Sequence, residues 1–377
     1  MKAICHIGHH KTGTTTLQAF LSQNSDRLLR GGTLYPWVET EGASRALAKA
    51  IDGGDQGEIL SLNIREAHNA LAFRMLADTL PAWQVPSYHE NLPHSRQMLL
   101  AISNQIAALR PDLIVLCSEV MSNFGKIAAD QIPRLRNEAL AAAEHFTLWC
   151  TLRRPDEQLV SWHGQQIRLG QAPAPLCDPE HGLNLNWLHV DYRGVIEPWL
   201  KQIPETELIL RPYREALAAG GSVDDFMRGA AIGKTADLLP VPLLNIGQKP
   251  AVVSLLRLGN AQLPEPLALQ LADLIGPLTK DMALAATSEV EFLGADARAR
   301  LVAHFGPIHD WLSQVSGRAR FFTDIDDMAV CRPIPENEAL QSLLDQLAPG
   351  RIKMIEPVEI RDFLTRLRTH GATIQPQ

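Results

Sequence analysis

Three nearly continuous apolar runs stand out along the first half of the chain: 2–7 (KAICHI), 112–117 (DLIVLC) and 146–152 (FTLWCTL). Runs of this kind, apolar on both faces, are what central strands of a parallel sheet require. A fourth, at 207–210, precedes Arg211-Pro212-Tyr213. Between them the apolar residues recur at helical spacing. In 14–23, Leu17, Phe20 and Leu21 share one face. Further helical segments are predicted at 62–79, 95–109, 131–144, 155–168 and 190–201. Strands alternating with helices predict an α/β fold, a doubly wound parallel sheet flanked by helices. Two stretches break the pattern. Residues 81–94 carry three prolines with Trp83, Tyr88, His89 and His94, and 170–186 are equally irregular. Loops of this length in α/β proteins either cover a ligand site or run over the surface.

Past residue 240 the pattern changes. Pro240, Pro242 and Pro250 flank a turn, and helical spacing then dominates with no further central strand. We therefore expect an α/β core over 1–240 and a mainly helical region over 241–377, as a cap on the same domain or a small second one.

Composition narrows the function classes. Lys plus Arg number 35 against 42 Asp plus Glu, a net charge of −7. A general nucleic-acid binder shows a basic footprint instead, so none is expected as partner. A few amides and cations can still hold a phosphate inside an acidic protein. The five cysteines form no CxxC pair, and an odd, scattered set fits a reducing compartment. No secretory leader and no apolar stretch of about 20 residues is seen, which points to a cytoplasmic protein and leaves peripheral membrane contact open.

The chemistry begins at the first strand's end, in His6-Ile7-Gly8-His9-His10-Lys11-Thr12-Gly13-Thr14-Thr15-Thr16. Gly8 and Gly13 have the separation of the glycines in the G-x-x-x-x-G-K-[ST] phosphate loop. Thr14 stands where that pattern has lysine, and the lysine lies inside the loop at Lys11. Thr14 and Thr15 in these positions disfavour a P-loop small-molecule kinase, which needs a lysine after the second glycine. An oxyanion still suits the segment. Amides at a helix start lack intrahelical partners, the helix dipole adds positive charge, and hydroxyls and an ammonium add donors.

A second junction follows 146–152: Arg153-Arg154-Pro155, then Asp156 and Glu157, with Ser161 eight residues after Arg153. Arg153 falls at a strand's carboxyl end, where open α/β sheets bind ligands. An arginine fork and a hydroxyl can share one phosphate.

Together the two segments resemble the sulfotransferase superfamily that uses 3′-phosphoadenosine 5′-phosphosulfate (PAPS). Lys-Thr-Gly-Thr-Thr is similar to its 5′-phosphosulfate loop, and Arg153 through Ser161 to its 3′-phosphate motif. Leu17-Gln18, Leu34-Tyr35-Pro36, Ser118-Glu119, Tyr213 and Phe226 resemble features of the bacterial carbohydrate-type members. The resemblance covers roughly 1–260. It implies a P-loop-like fold, PAPS as co-substrate, no obligatory metal, and a carbohydrate or glycolipid acceptor sulfated on a hydroxyl or amine. Position by position, Lys11 would contact the bridging oxygen and 5′-phosphate. Thr12, Gly13, Thr14, Thr15 and Thr16 would line the phosphosulfate, Arg153 and Ser161 the 3′-phosphate, and Tyr213 the adenine. The bacterial Asn-x-Ser reads Asn245-Ile246-Gly247 here, which removes a serine contact, and the Arg-Lys-Gly ending of cytosolic members is missing.

A general base should take the acceptor proton. Glu119, at the end of the second strand, is the first choice and Glu39 the second. His89, His94 and His163 are alternatives, since histidine titrates near neutrality. His6, His9 and His10 have no carboxylate or Cys set beside them, so no metal site is expected. A nucleotide-binding protein without catalysis is the remaining reading.

Overall fold

The computed structural model describes residues 1–52, 60–233, 237–240 and 247–370. The chain forms two compact units. The first comprises 1–154, 191–245 and 307–322, and the second 155–190, 246–306 and 323–377. The insertion of 155–190 into the second unit and of 307–322 into the first carried no sequence signal.

The first unit is built on a parallel sheet of five strands: β1 (Lys2–His6), β2 (Thr33–Leu34), β3 (Leu113–Cys117), β4 (His145–Leu152) and β5 (Glu207–Pro212). Their order is β2-β3-β1-β4-β5. The apolar runs at 2–7, 112–117 and 146–152 are the three central strands, with Ala3, Ile4, Cys5, Ile114, Val115, Leu116, Leu148, Trp149 and Cys150 all buried. The two-residue β2 at the edge was not anticipated. It is too short to show a period, and Thr33 and Leu34 are nonetheless both buried.

Register fixes where the strands end. His6 lies opposite Cys117 on one side and Trp149 on the other. β4 continues past β1, and the chain after His6 stays paired with it. The amide of Ile7 donates to the Trp149 carbonyl (2.9 Å), that of Thr151 to Gly8 (2.7 Å), and that of His9 to Thr151 (2.7 Å). On the other side the Ser118 amide donates to the His6 carbonyl (2.8 Å).

Four helices recur below: α1 (Thr14–Gln23), α2 (Ala67–Thr79) and α4 (Ser222–Gly229) in the first unit, and α3 (Pro155–Arg168) in the second. The expected face of α1 packs inward. Leu17, Phe20 and Leu21 join Ile4, Val115, Cys117, Trp149, Phe226 and Met227 in one core cluster. Phe226 meets the Trp149 ring edge-on at 5.2 Å and His6 at 5.5 Å. Asp225 receives a fork from Arg211 at the end of β5 (2.6 and 3.1 Å), which ties α4 to the sheet.

The second unit is mainly helical. It holds α3 and the helices Pro250–Gln262, Glu265–Thr279, Glu336–Gln346, Pro349–Lys353 and Val358–His370, with a two-strand parallel pair, β6 (Val290–Glu291) and β7 (Ile334–Pro335). Buried Arg298 binds both Glu291 oxygens (3.0 Å each) and approaches Asp156 (3.5 Å). Asn260 donates to the carbonyls of Ile167 and Gln171 (2.7 Å each), satisfying the end of α3. Among the described residues no helix is long and apolar enough to cross a membrane.

Phe226 is 1% exposed in the cluster that seats α1 and α4 on the sheet. Phe226→Ala should cost about 3–5 kcal/mol in chemical denaturation. A loss below about 1 kcal/mol contradicts this packing.

Candidate functional site

The strand order reverses direction at β1: β3 and β2 lie on one side, β4 and β5 on the other. In an open α/β sheet a crevice forms outside the carboxyl ends at such a point. The segments singled out in the sequence emerge there from neighbouring strands: Gly8 to Gly13 after β1, Ser118 and Glu119 after β3, Arg153 after β4 and Tyr213 after β5.

The loop after β1 is tightly shaped. Gly8, Lys11 and Gly13 all have positive φ, at 81°, 64° and 83°. For Lys11 that conformation costs of order 1–3 kcal/mol, a type of strain that concentrates where ligands are held. Thr12 Oγ1 donates to the His9 carbonyl (2.6 Å), closing the turn. The glycines are also sterically required. A Cβ on Gly8 would stand 2.8 Å from Glu119 Cβ, and one on Gly13 2.8 Å from Ser222 Oγ. Ser222 Oγ donates to the Gly13 carbonyl (2.9 Å), so α4 buttresses the start of α1. The loop therefore runs directly against Glu119 on one side and Ser222 on the other.

The start of α1 favours an anion. Its N-cap is Gly13 with no side-chain cap bond, and its first turn holds no acidic residue. Thr14 and Thr16 are buried and Thr15 half-buried. Two of the three histidines, His6 and His10, add no charge near neutrality. Burial lowers His6 to about 3, and burial with the charges of His9 and Lys11 lowers His10 to about 3. Lys11 brings a formal positive charge to the loop.

Glu119 opens the short 3₁₀ turn Glu119–Met121, for which Ser118 is the N-cap, accepting from the Val120 amide (3.2 Å). The capping role thus falls to Ser118, and the Glu119 carboxylate turns to α1, where Gln18 Nε2 donates to it (2.5 Å). Gln18 Nε2 also reaches Asn69 Oδ1 on α2 (3.3 Å). Asn69 Oδ1 accepts from Ser118 Oγ (2.7 Å), and Asn69 Nδ2 donates to Glu66 (3.2 Å). Burial, and after it the Glu66 charge, push Glu119 from 4.5 up to about 7 against the opposing effect of its hydrogen bonds.

Arg153 stacks its guanidinium over the Tyr213 ring at 5.2 Å, joining the ends of β4 and β5. Tyr192 braces this corner: its hydroxyl donates to the Arg153 carbonyl (2.7 Å) and its ring lies 5.4 Å from His9. Ser161 sits on α3 and belongs to the second unit, so the cluster described here is the first unit's alone.

The other candidate bases have structural partners. Glu39 caps the helix Thr40–Asp52, accepting from the amides of Glu41 (2.6 Å) and Gly42 (2.7 Å). His94 caps the helix Ser95–Leu109 and pairs with Asp78 (3.3 Å). His163 is buried in the second unit and lowered to about 4 by burial and the Arg257 charge. His89 meets Asn63 Oδ1 through Nδ1 (3.0 Å), and burial lowers its pKa. Asn245 and Ile246 lie outside the described residues. Among the described residues no group of three or more His, Cys, Asp or Glu could hold a metal ion.

Glu66, Asn69 and Tyr192 had no place in the sequence reading, and Gln18 entered it only through the Leu17-Gln18 run, with no role assigned. Gln18 stands beside Leu17 in the quoted run, and Asn69 is a polar residue among Ala67, Ala70 and Leu71 in a helical pattern. That placement was the one available signal. No family model, no curated protein and no solved structure matches the chain.

The raised Glu119 pKa has a consequence for stability. A native carboxyl at about 7 retains a proton that the unfolded chain, at 4.5, releases. Its contribution is complete below about 4.5 and is lost as pH rises through about 7. The melting temperature of the wild type should fall across that window more than that of Glu119→Gln. Parallel profiles in the two proteins contradict the assignment.

Proposed function

We propose that the chain is a PAPS-dependent sulfotransferase whose first unit binds the co-substrate in a P-loop-like frame. The observation that carries this reading is one convergence. Lys11 in a strained loop, Glu119 packed against Gly8, and Arg153 on Tyr213 all emerge at the carboxyl ends of adjacent parallel strands. The uncapped, acid-free start of α1 suits a phosphosulfate, and the Arg153–Tyr213 pair suits a 3′-phosphate beside a purine.

PAPS supplies an activated sulfuryl group on a phosphate leaving group. In the transfer an acceptor hydroxyl oxygen forms the new O–S bond while the bond from sulfur to the bridging oxygen breaks. That electron pair goes to the departing phosphate, and the acceptor proton goes to Glu119. Lys11 and the first-turn amides of α1 stabilise the charge growing on the bridging oxygen, in the manner of preorganised donors. Glu119 at about 7 is close to the ideal for a base at neutral pH, half-ionised and still basic enough to accept a proton. Gln18 helps to orient it by a hydrogen bond. The acceptor we favour is a carbohydrate or glycolipid hydroxyl, and the location cytoplasmic.

Two outcomes test the reading. At a hundredfold excess over its dissociation constant, 3′-phosphoadenosine 5′-phosphate should stabilise the protein by about 2.7 kcal/mol, a clear thermal shift, and ATP with Mg²⁺ should not. Stabilisation by ATP-Mg²⁺ alone favours a kinase and removes the proposal. Glu119→Gln should lower kcat by roughly 10²–10⁴ with nucleotide binding unchanged. Lys11→Ala should also act on kcat rather than KM. Near-normal turnover in Glu119→Gln excludes it as the base.

A further inference from the structure

Glu119 is half-buried, and a chain of side chains leads away from its carboxylate into the first unit. Gln18 Nε2 donates to Glu119 Oε2 (2.5 Å) and to Asn69 Oδ1 (3.3 Å). Asn69 Oδ1 also accepts from Ser118 Oγ (2.7 Å), while Asn69 Nδ2 donates to Glu66 Oε2 (3.2 Å). Glu66 Oε1 accepts from Arg65 Nη2 (3.0 Å). Arg65 and Glu66 form the outer end of the chain, and Asn69 and Gln18 are buried.

The direction of these bonds is fixed from the Glu66 end. An amide side chain can be turned end for end, exchanging donor for acceptor, whereas a carboxylate only accepts. Glu66 therefore requires the NH₂ of Asn69, which turns Asn69 Oδ1 towards Gln18 and Ser118. An oxygen there requires the NH₂ of Gln18 in turn. Both Gln18 donors are then committed, and Gln18 Oε1 is left buried without a hydrogen-bond partner. Reversing Gln18 would set that oxygen against Asn69 Oδ1 and, whenever Glu119 is ionised, against a second acceptor, which is the less favourable arrangement.

The consequence falls on Glu119. Its Oε2 faces an N–H at hydrogen-bonding distance in either charge state, so a proton on Oε2 would meet that N–H head-on. Glu66 also acts through its charge, which opposes ionisation of Glu119, while the hydrogen bonds of Asn69 and Gln18 favour it. Arg65 offsets part of the Glu66 charge. The other titratable groups that feel Glu119 are Tyr35, Tyr88 and Cys117, and burial raises all three, so they are uncharged near neutrality. From the loop after β1, the residue packed on Glu119 is the uncharged Gly8.

We propose that Glu66 and Asn69 are positioning residues for Glu119: through Gln18 they keep a donor on Oε2 and reserve Oε1 for the proton. In the transfer, the acceptor O–H bond breaks and its proton goes to Oε1. This rests on the sulfuryl-transfer reading for the reaction, though not for the ordering of Glu119 itself.

The test is a ¹³C NMR titration of the Glu119 side-chain carboxyl in the full chain, with the signal assigned by its loss in Glu119→Gln. The wild-type midpoint is expected at about 7. Glu66→Gln keeps an acceptor for Asn69 but removes the charge and releases Arg65, so the midpoint should fall by at least about half a pH unit. Asn69→Ala removes hydrogen bonds that favour the ionised form and frees Gln18 to turn, so the midpoint should rise by about as much. A purely structural role would not give shifts of opposite sign. An unmoved midpoint in either variant, or shifts of the same sign, overturns the proposal. Should Asn69→Ala fail to fold, Glu66→Gln decides alone, and an unmoved or raised midpoint overturns it. Binding of 3′-phosphoadenosine 5′-phosphate is measured on the same samples. Its presence with unmoved midpoints removes the positioning role alone. Its absence removes the sulfotransferase reading, and the titration still decides the ordering of Glu119.

Discussion

Everything proposed for this protein depends on the pairing of the chain just after β1 with its neighbour β4. Three backbone hydrogen bonds through Ile7, Gly8 and His9 carry the loop alongside β4 before it turns into α1. That anchoring allows Lys11 to be held at φ 64° and Gly13 to open a helix with no side-chain cap. The same edge is closed on the other side by Ser118 on His6 and by Glu119 on Gly8. A loop so confined has its amide directions set before any ligand arrives. Preorganisation of that kind is what a site for developing charge requires.

The electrostatics follow from burial. His6 and His10 in the loop are neutral near physiological pH because burial opposes their charge, and Lys11 adds a formal charge there. Glu119 is shifted the other way by the same cause, with Glu66 adding to it. An acid raised towards neutrality and a lysine fixed in a loop thus come from neighbouring strands. The strands they follow, β3 and β1, are adjacent in the sheet. Pairs of titratable groups pushed in different directions by their surroundings are what acid–base assignments are read from.

The central sheet was legible in the sequence because its strands are buried on both faces and therefore apolar throughout. The runs around Ile4, Val115 and Trp149 could hardly be anything else. The loop was legible because Gly8 and Gly13 are demanded by backbone conformation and by the side chains they would strike. β2 escaped notice at two residues, too short for any pattern. The division into two units escaped because α3 follows Arg154 without a break in composition, and nothing local marks where contacts change partners. The hydrogen-bond partners of Glu119 were equally hidden. Gln18 and Asn69 are helix residues of ordinary spacing, and the pairing of α1 with α2 is a property of packing, not of any short stretch.

The central claim is that the corner of Arg153 and Tyr213 reads a 3′-phosphate while the Lys11 loop holds the 5′ end. Calorimetric comparison of 3′-phosphoadenosine 5′-phosphate with adenosine 5′-monophosphate tests it most directly, in the wild type and in Arg153→Ala. A hydrogen bond to a charged group contributes about 1.5–3 kcal/mol, so the wild type should prefer the bisphosphate roughly ten- to a hundredfold. Arg153→Ala should lose that preference while binding the monophosphate as before. Equal weakening of both ligands, or no preference in the wild type, contradicts the account.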